Sequence, residues 1–166
     1  MLEELGLGAF RLHYESLDFN AGLIVGSGSL LIDTRSSPAE ATELQADLVK
    51  HDLAPLRMVV NTHHHWDHSF GNQVFSGLVA IYGHPDCRRR LLEGGEEARR
   101  RLIEEMPERT GEFAEVVITP PDLLIPDRTT LDPGGVQATV RYLGRGHTDN
   151  DLVITIGDVL FAGDLV

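Results

Sequence analysis

The chain has 166 residues, 26 acidic and 14 basic side chains, and a net charge of −12. That length predicts a single domain able to bury a core of its own, and 42% hydrophobic with 24% charged residues is ordinary for a soluble globular protein. The charge disfavours a nucleic-acid partner, the absence of a run of about 18 apolar residues argues against a membrane span, and the single cysteine, Cys87, excludes an internal disulfide.

The N-terminus is acidic and has no leader pattern, so a cytoplasmic location is the expectation. Residues 10–15, 20–25 and 29–33 read as short strands of a meander, with Gly26-Ser27-Gly28 as one turn. Ser37-Pro38-Ala39-Glu40 has the chemistry of a helix start: a serine cap, proline in the first turn and an acid after it. That helix should run to about His51, with Leu44 and Leu48 on its core face. Residues 57–60 are apolar and predict a short buried strand.

Directly after that strand comes His63-His64-His65-Trp66-Asp67-His68. Burying four imidazoles without a metal would need many hydrogen-bond partners. If the backbone stays extended past Asn61, His63, His65 and Asp67 point one way, His64 and Trp66 the other, and His68 swings back at a turn. Such a cup of imidazoles and a carboxylate suits a borderline metal such as zinc.

Residues 69–75 predict a short helix, 78–82 a strand, and Gly83-His84-Pro85-Asp86 a turn opening another helix. His84 reads as a turn or cap residue and Cys87 as a small core residue. Arg88-Arg89-Arg90 and Arg99-Arg100-Arg101 read as a solvated helix face, with Glu96–Arg100 and Glu97–Arg101 as i, i+4 pairs. Gly94-Gly95 predicts a break between the two arginine runs. Residues 107–130 carry several prolines and read as irregular, apart from a short strand at 115–119. Residues 136–143 alternate and predict a half-buried strand; 152–156 and 159–162 flank Gly157-Asp158, a hairpin signal. His147 and Asp164 thus fall just past strand ends, as His63 does.

Three segments carry a family resemblance. Thr62-His63-His64-His65-Trp66-Asp67-His68 resembles the T-H-x-H-x-D-H signature of the metallo-β-lactamase superfamily, Gly144-Arg145-Gly146-His147-Thr148 its G-H-T segment, and Phe161-Ala162-Gly163-Asp164-Leu165 its F-x-G-D segment. The histidine run itself is similar to the glyoxalase II branch, with a longer stretch between His68 and His147. The resemblance implies an α/β (α+β) four-layer αβ/βα sandwich built by residues 1–166. It also implies a further histidine after the F-x-G-D segment; the chain stops at Val166 with none. The domain and its sandwich are therefore expected to be truncated at the C-terminal end.

The resemblance further implies that His63, His65 and His147 make a first metal site. Asp67 and His68 begin a second, and Asp164 bridges the two. One or two zinc ions are expected, with iron or manganese left open. Zinc brings the pKa of a bound water to about 7, and Asp67 would orient that water and shuttle its proton. The expected activity is hydrolysis of a small ester, thioester, lactone or lactam. The alternatives are an iron-dependent oxidoreductase or dioxygenase of the same superfamily, and an inactive metal-binding fragment. Asp33, at a strand end, is either a group beneath the metal loop or a polar strand terminus. The partner expected is a small-molecule substrate, with no nucleic acid and no membrane; a homo-oligomer stays open.

Overall fold

A computed structural model describes residues 1–53 and 55–166. It contains two β-sheets packed face to face. The larger runs in chain order: β1 (Leu2–Gly6), β2 (Ala9–Tyr14), β3 (Phe19–Val25), β4 (Ser29–Ile32), β5 (Leu56–Val60), β6 (Ala80–Gly83) and β7 (Leu123–Leu124). β1 to β4 are antiparallel neighbours, and β4 to β7 are parallel. The smaller, antiparallel sheet comprises β8 (Arg128–Leu131), β9 (Ala138–Tyr142), β10 (Leu152–Ile156) and β11 (Val159–Phe161), in the order β11-β10-β9-β8.

Alternation along the strands builds two cores. On β4, Leu30 and Ile32 point to the second sheet and meet Val140, Leu152 and Ile154, while Leu31 points the other way. That other side takes α1 (Pro38–Lys50), whose Ala41, Leu44 and Leu48 pack against Leu23, Val59 and Ile81. The α1 start forms as its composition predicts, with Ser37 as cap accepting from the Glu40 amide. α2 (Trp66–Ser69) and α3 (Asn72–Phe75) follow β5; α4 (Pro85–Glu105) and α5 (Thr110–Ala114) follow β6. Among the described residues no α-helix follows α5, so three of the four expected layers are present: helix, sheet, sheet. No helix of the described residues is long and apolar enough to cross a membrane.

Several expectations need correction. Gly94-Gly95 does not break the helix; α4 runs through 21 residues. Cys87, Leu91, Gly95 and Leu102 form one buried face against Phe70 and Phe113, and this packing outweighs the glycines' weak helix preference. The arginines on α4 pair one residue closer than expected, as Glu96–Arg99 and Glu97–Arg100. The expected helix over 69–75 is two short turns, α2 and α3. Residues 115–119 form no strand: the Val117 amide donates to Gln73 and the Thr119 carbonyl accepts from Asn72, so side chains take the place of a ladder. β8 lies inside the segment read as irregular, where Thr129 and Thr130 pair with β9. β1 was hidden by its acidic composition; Glu3 pairs with Arg11 across the strands at 2.6 Å.

Candidate metal centre

The histidine run sits at the carboxyl ends of the parallel strands, where open α/β sheets place their ligands. Its entry is pinned by buried amides. Asn61 and Asn72 exchange side-chain hydrogen bonds at 3.0 and 2.8 Å, and Thr34 donates to Asn72 at 2.9 Å. β5 ends at Val60, the chain bends at residues 62–64, and α2 begins at Trp66 after an extended His65 (φ −60°, ψ 149°). Asp67 is therefore aimed by a helical turn, not by strand alternation. Ser69 closes that turn by donating to the His65 carbonyl at 2.9 Å, with the His64 carbonyl 3.1 Å away.

Asp33 lies beneath the loop at 2% exposure, with φ +64°. Its carboxylate accepts from the Thr62 amide and the Thr62 hydroxyl, both at 2.7 Å, and from His68 Nδ1 at 2.8 Å. Of the two readings of Asp33, the geometry supports the group beneath the metal loop. The contact has a consequence for His63. The one proton of the Thr62 hydroxyl goes to Asp33, so the hydroxyl oxygen accepts from His63 Nδ1 at 3.0 Å. His63 then presents a bare Nε2, which is buried and has no hydrogen-bond partner.

His147 reaches the same place from the other sheet. Its loop turns at Gly144 (φ +102°) and is held by Asp151, which accepts from the Thr148 amide and hydroxyl at 2.7 and 2.8 Å. His147 Nε2 lies 2.9 Å from His65 Nδ1, and the His63 and His147 rings are 5.1 Å apart. Asp164 arrives after Gly163, whose φ is +56° and whose absent Cβ would stand 2.9 Å from the Thr62 side chain. A glycine is required there on both counts. Asp164 oxygens lie 3.1 Å from His68 Nε2, 3.5 Å from His147 Nε2 and 3.9 Å from His63 Nε2.

All six residues singled out in the sequence come together, as two groups sharing Asp164. His63, His65, His147 and Asp164 each place one donor atom within 4.8 Å of the others, and so do Asp67, His68 and Asp164. Burial pushes His63, His64 and His65 towards the neutral form, reinforced by neighbouring imidazoles. His68 goes the other way: burial disfavours its charge, but Asp33 and Asp164 together outweigh that and raise its pKa to about 10. The hydrogen bond from His68 in turn holds Asp164 below the ordinary carboxylate range. His84 stays out of the cluster. It caps α4 by accepting from the Asp86 amide and stacks on Tyr142 at 4.2 Å.

Three contributors escaped the sequence reading: Thr62 as hydroxyl relay, His64, and Asn150. Asn150 is fully buried and donates to His64 Nδ1 at 3.0 Å. Thr62 stood inside the quoted signature; nothing local marked Asn150.

Comparison with known proteins follows the same line. The metallo-beta-lactamase superfamily profile matches residues 19–166. A search of curated proteins returns no match. Among solved structures, a metallo-β-lactamase from Hirschia baltica is 21% identical with a TM-score of 0.67; the alignment covers 98% of this chain and 70% of that one. One from Cronobacter sakazakii is 18% identical with a TM-score of 0.74, covering 99% of this chain and 65% of that one. One from Pseudomonas aeruginosa, described in a mono-zinc form, is 19% identical with a TM-score of 0.64, covering 93% and 63%. The chain thus spans about two thirds of the length of these structures, and the likeness is one of fold. With the profile matched over most of its length, the chain belongs to the metallo-β-lactamase superfamily.

Proposed function

We propose that residues 1–166 form the metal-binding part of a zinc hydrolase acting on a small ester, thioester, lactone or lactam. One observation carries the reading: His63 Nε2 is buried, bare and unpartnered, and it stands among His65, His147 and Asp164. A buried polar atom without a partner is costly. A divalent cation of borderline softness satisfies such a nitrogen and matches a donor set of imidazoles and one carboxylate.

In this reading His63, His65 and His147 would hold one ion and Asp67 and His68 a second, with Asp164 within reach of both groups. The Pseudomonas aeruginosa protein is described in a mono-zinc form, which supports a single ion as one state of such a centre. Bound zinc supplies a Lewis acid and a water that ionises near neutral pH. The chain's own part is positioning. Thr62 fixes the His63 tautomer and Asp33 orients His68. Asp67, partly exposed and 3.6 Å from His68 Nε2, is placed to take a proton from an attacking water. A small neutral substrate suits a chain of charge −12 better than a nucleic acid does.

The test is elemental analysis of untagged protein alongside ester and thioester hydrolysis before and after chelation. Zinc in the isolated protein, with turnover lost on chelation and restored by zinc, is the expected result. Turnover that survives metal removal sinks the reading. Iron or manganese in place of zinc overturns the choice of metal, and iron favours the redox alternative.

A further inference from the structure

Beside His65 a groove of about 260 Å3 runs between Trp66 and α4. Phe70, Leu91, Gly94 and Ala98 line it, together with His64 and the metal-donor candidate His65. Phe70 and Leu91 are buried, and Trp66 packs edge-on against Phe113 with ring centroids 5.6 Å apart, so the walls are fixed. The two arginines at the rim are already engaged. Arg90 binds Asp149 at 2.5 Å, and Arg101 lies 3.7 Å from Glu105. The groove therefore offers an apolar wall of Trp66, Phe70, Leu91 and Ala98 and a rim where each guanidinium faces a carboxylate.

Gly94 is the informative residue. A glycine inside a helix weakens it relative to alanine. At Gly95 the packing explains the choice, because a Cβ would stand 2.8 Å from Ile118 Cγ2. At Gly94 no heavy atom of the described residues lies within 4 Å of where the Cβ would be, and φ is not positive. The packing of the chain makes no demand for a missing side chain at 94, and the position lines the groove. His64 adds one polar contact. Its Nδ1 accepts from Asn150, so the neutral ring carries its proton on Nε2, which has no partner among the described residues.

We propose, on the basis of the hydrolase reading above, that this groove is the subsite for the acyl group of the substrate. A neutral alkyl chain or aryl ring lies along Trp66 and Leu91 with its carbonyl end toward His65, and Gly94 sets how bulky that group can be. Pockets of this kind combine an apolar lining with a few placed polar groups.

Trp66 is the only tryptophan in the chain, so its fluorescence reports on the groove directly. Phenylacetamide, titrated into the protein as isolated and after chelation, should give a saturable change in emission in both. Gly94→Phe and Ala98→Phe fill the groove from two positions and should each weaken that binding about tenfold. Gly94→Ala, whose Cβ meets no atom of the chain, should fold normally and weaken it by a smaller factor. Thermal melts followed by circular dichroism separate filling from unfolding. In turnover, the ratio of phenylacetyl to acetyl thioester hydrolysis should fall about tenfold in the phenylalanine variants. No response of wild-type emission, or folded variants that bind as wild type, overturns the proposal. Binding that is lost in the variants while wild type hydrolyses neither thioester sinks the hydrolase and leaves the groove. Hydrolysis of both, at a ratio the variants do not change, sinks the groove and leaves the hydrolase.

Discussion

Two polar clusters are buried in this fold, and they differ in what they leave over. At the start of α1, the guanidinium groups of Arg35 and Arg109 reach the same oxygen of Glu40, at 3.4 and 3.1 Å. Arg35 also meets Glu43 at 2.5 Å and stacks on the Tyr14 ring, 3.7 Å away; Arg109 meets Glu112 at 2.7 Å. Ser16 and Ser36 donate to Glu40. Every charge finds its opposite within the chain. In the histidine cluster, His65 and His147 put two nitrogens 2.9 Å apart that can share only one proton, and His63 Nε2 has nothing to bind. Arg35 Nε is also unpartnered, but it is a donor on a group whose charge is already met. The first cluster is complete as protein; the second leaves donor atoms that a cation would satisfy. Burial alone does not mark a functional site, whereas an unsatisfied lone pair among convergent donors does.

The comparison breaks first at Asp33. Asp33→Ala leaves the Thr62 amide, the Thr62 hydroxyl and His68 Nδ1 without their acceptor at a site 2% exposed. Stability should drop by roughly 3 kcal/mol or more, read from the urea midpoint. Metal stoichiometry should fall with it, because both donor groups hang on this carboxylate. A variant with wild-type metal content would show that Asp33 supports the fold alone.

Glu40 probes the self-sufficient cluster. Glu40→Gln leaves Arg35 and Arg109 short of a carboxylate and should cost about 2 kcal/mol, without change in metal content. The effect depends on pH in a defined direction. Burial raises the Glu40 pKa, but hydrogen bonds from Ser16 and Ser36 and the two arginines outweigh it, so the folded value lies below the ordinary 4.5. A carboxylate with a lowered folded pKa stabilises above its unfolded value and loses that stability as pH falls through the folded one. The gap between wild type and Glu40→Gln should therefore be full near neutrality and close in acid. A gap that stays constant down to acid unfolding would rule out the ionised network.

A smaller effect belongs to Thr62. Thr62→Val removes the hydroxyl between Asp33 and His63 while keeping the side-chain volume. It should cost about 1–2 kcal/mol and free the His63 ring to adopt either tautomer. Zinc affinity should fall more than stability does, and competition with a chromophoric chelator measures the difference.

These residues differ in how far the sequence disclosed them. Of the six clustered donors, His147 and Asp164 were legible through the resemblance of Gly144–Thr148 and Phe161–Leu165 to the superfamily's later segments, and the other four because their spacing is local, in one run. The meander and α1 were legible for the same reason. What stayed hidden is long-range. Thr62 became a relay only when β4 set Asp33 beneath it, and Asn150 met His64 across 86 positions. β1 and β8 were concealed by charge and by nearby prolines, and they exist because a neighbouring strand pairs with them. The expectation of an extended run through Asp67 failed because the chain bends at residues 62–64 and then turns helical, with the Ser69 hydroxyl against the His64 and His65 carbonyls, contacts no period reveals.

The smallest predicted effect returns to α4, where the expectation of a broken helix was wrong for an instructive reason. Two adjacent glycines lower helix preference by roughly 1 kcal/mol each, and that local sum favoured a break. The buried stripe of Leu91, Gly95 and Leu102 prevailed, and its closeness to Ile118 needs a glycine at 95 but not at 94. Alanine substitution should separate the two. Gly94→Ala should raise stability by about 0.5–1 kcal/mol, since its Cβ meets no atom and the unfolded chain loses freedom. Gly95→Ala gains the same preference, but its Cβ is forced to within 2.8 Å of Ile118 Cγ2, so the net change should be zero or negative. Paired urea curves with equal slopes decide it. If both variants stabilise alike, α4 is held by propensity and turn-by-turn hydrogen bonding, and the close approach of Ile118 has no energetic weight.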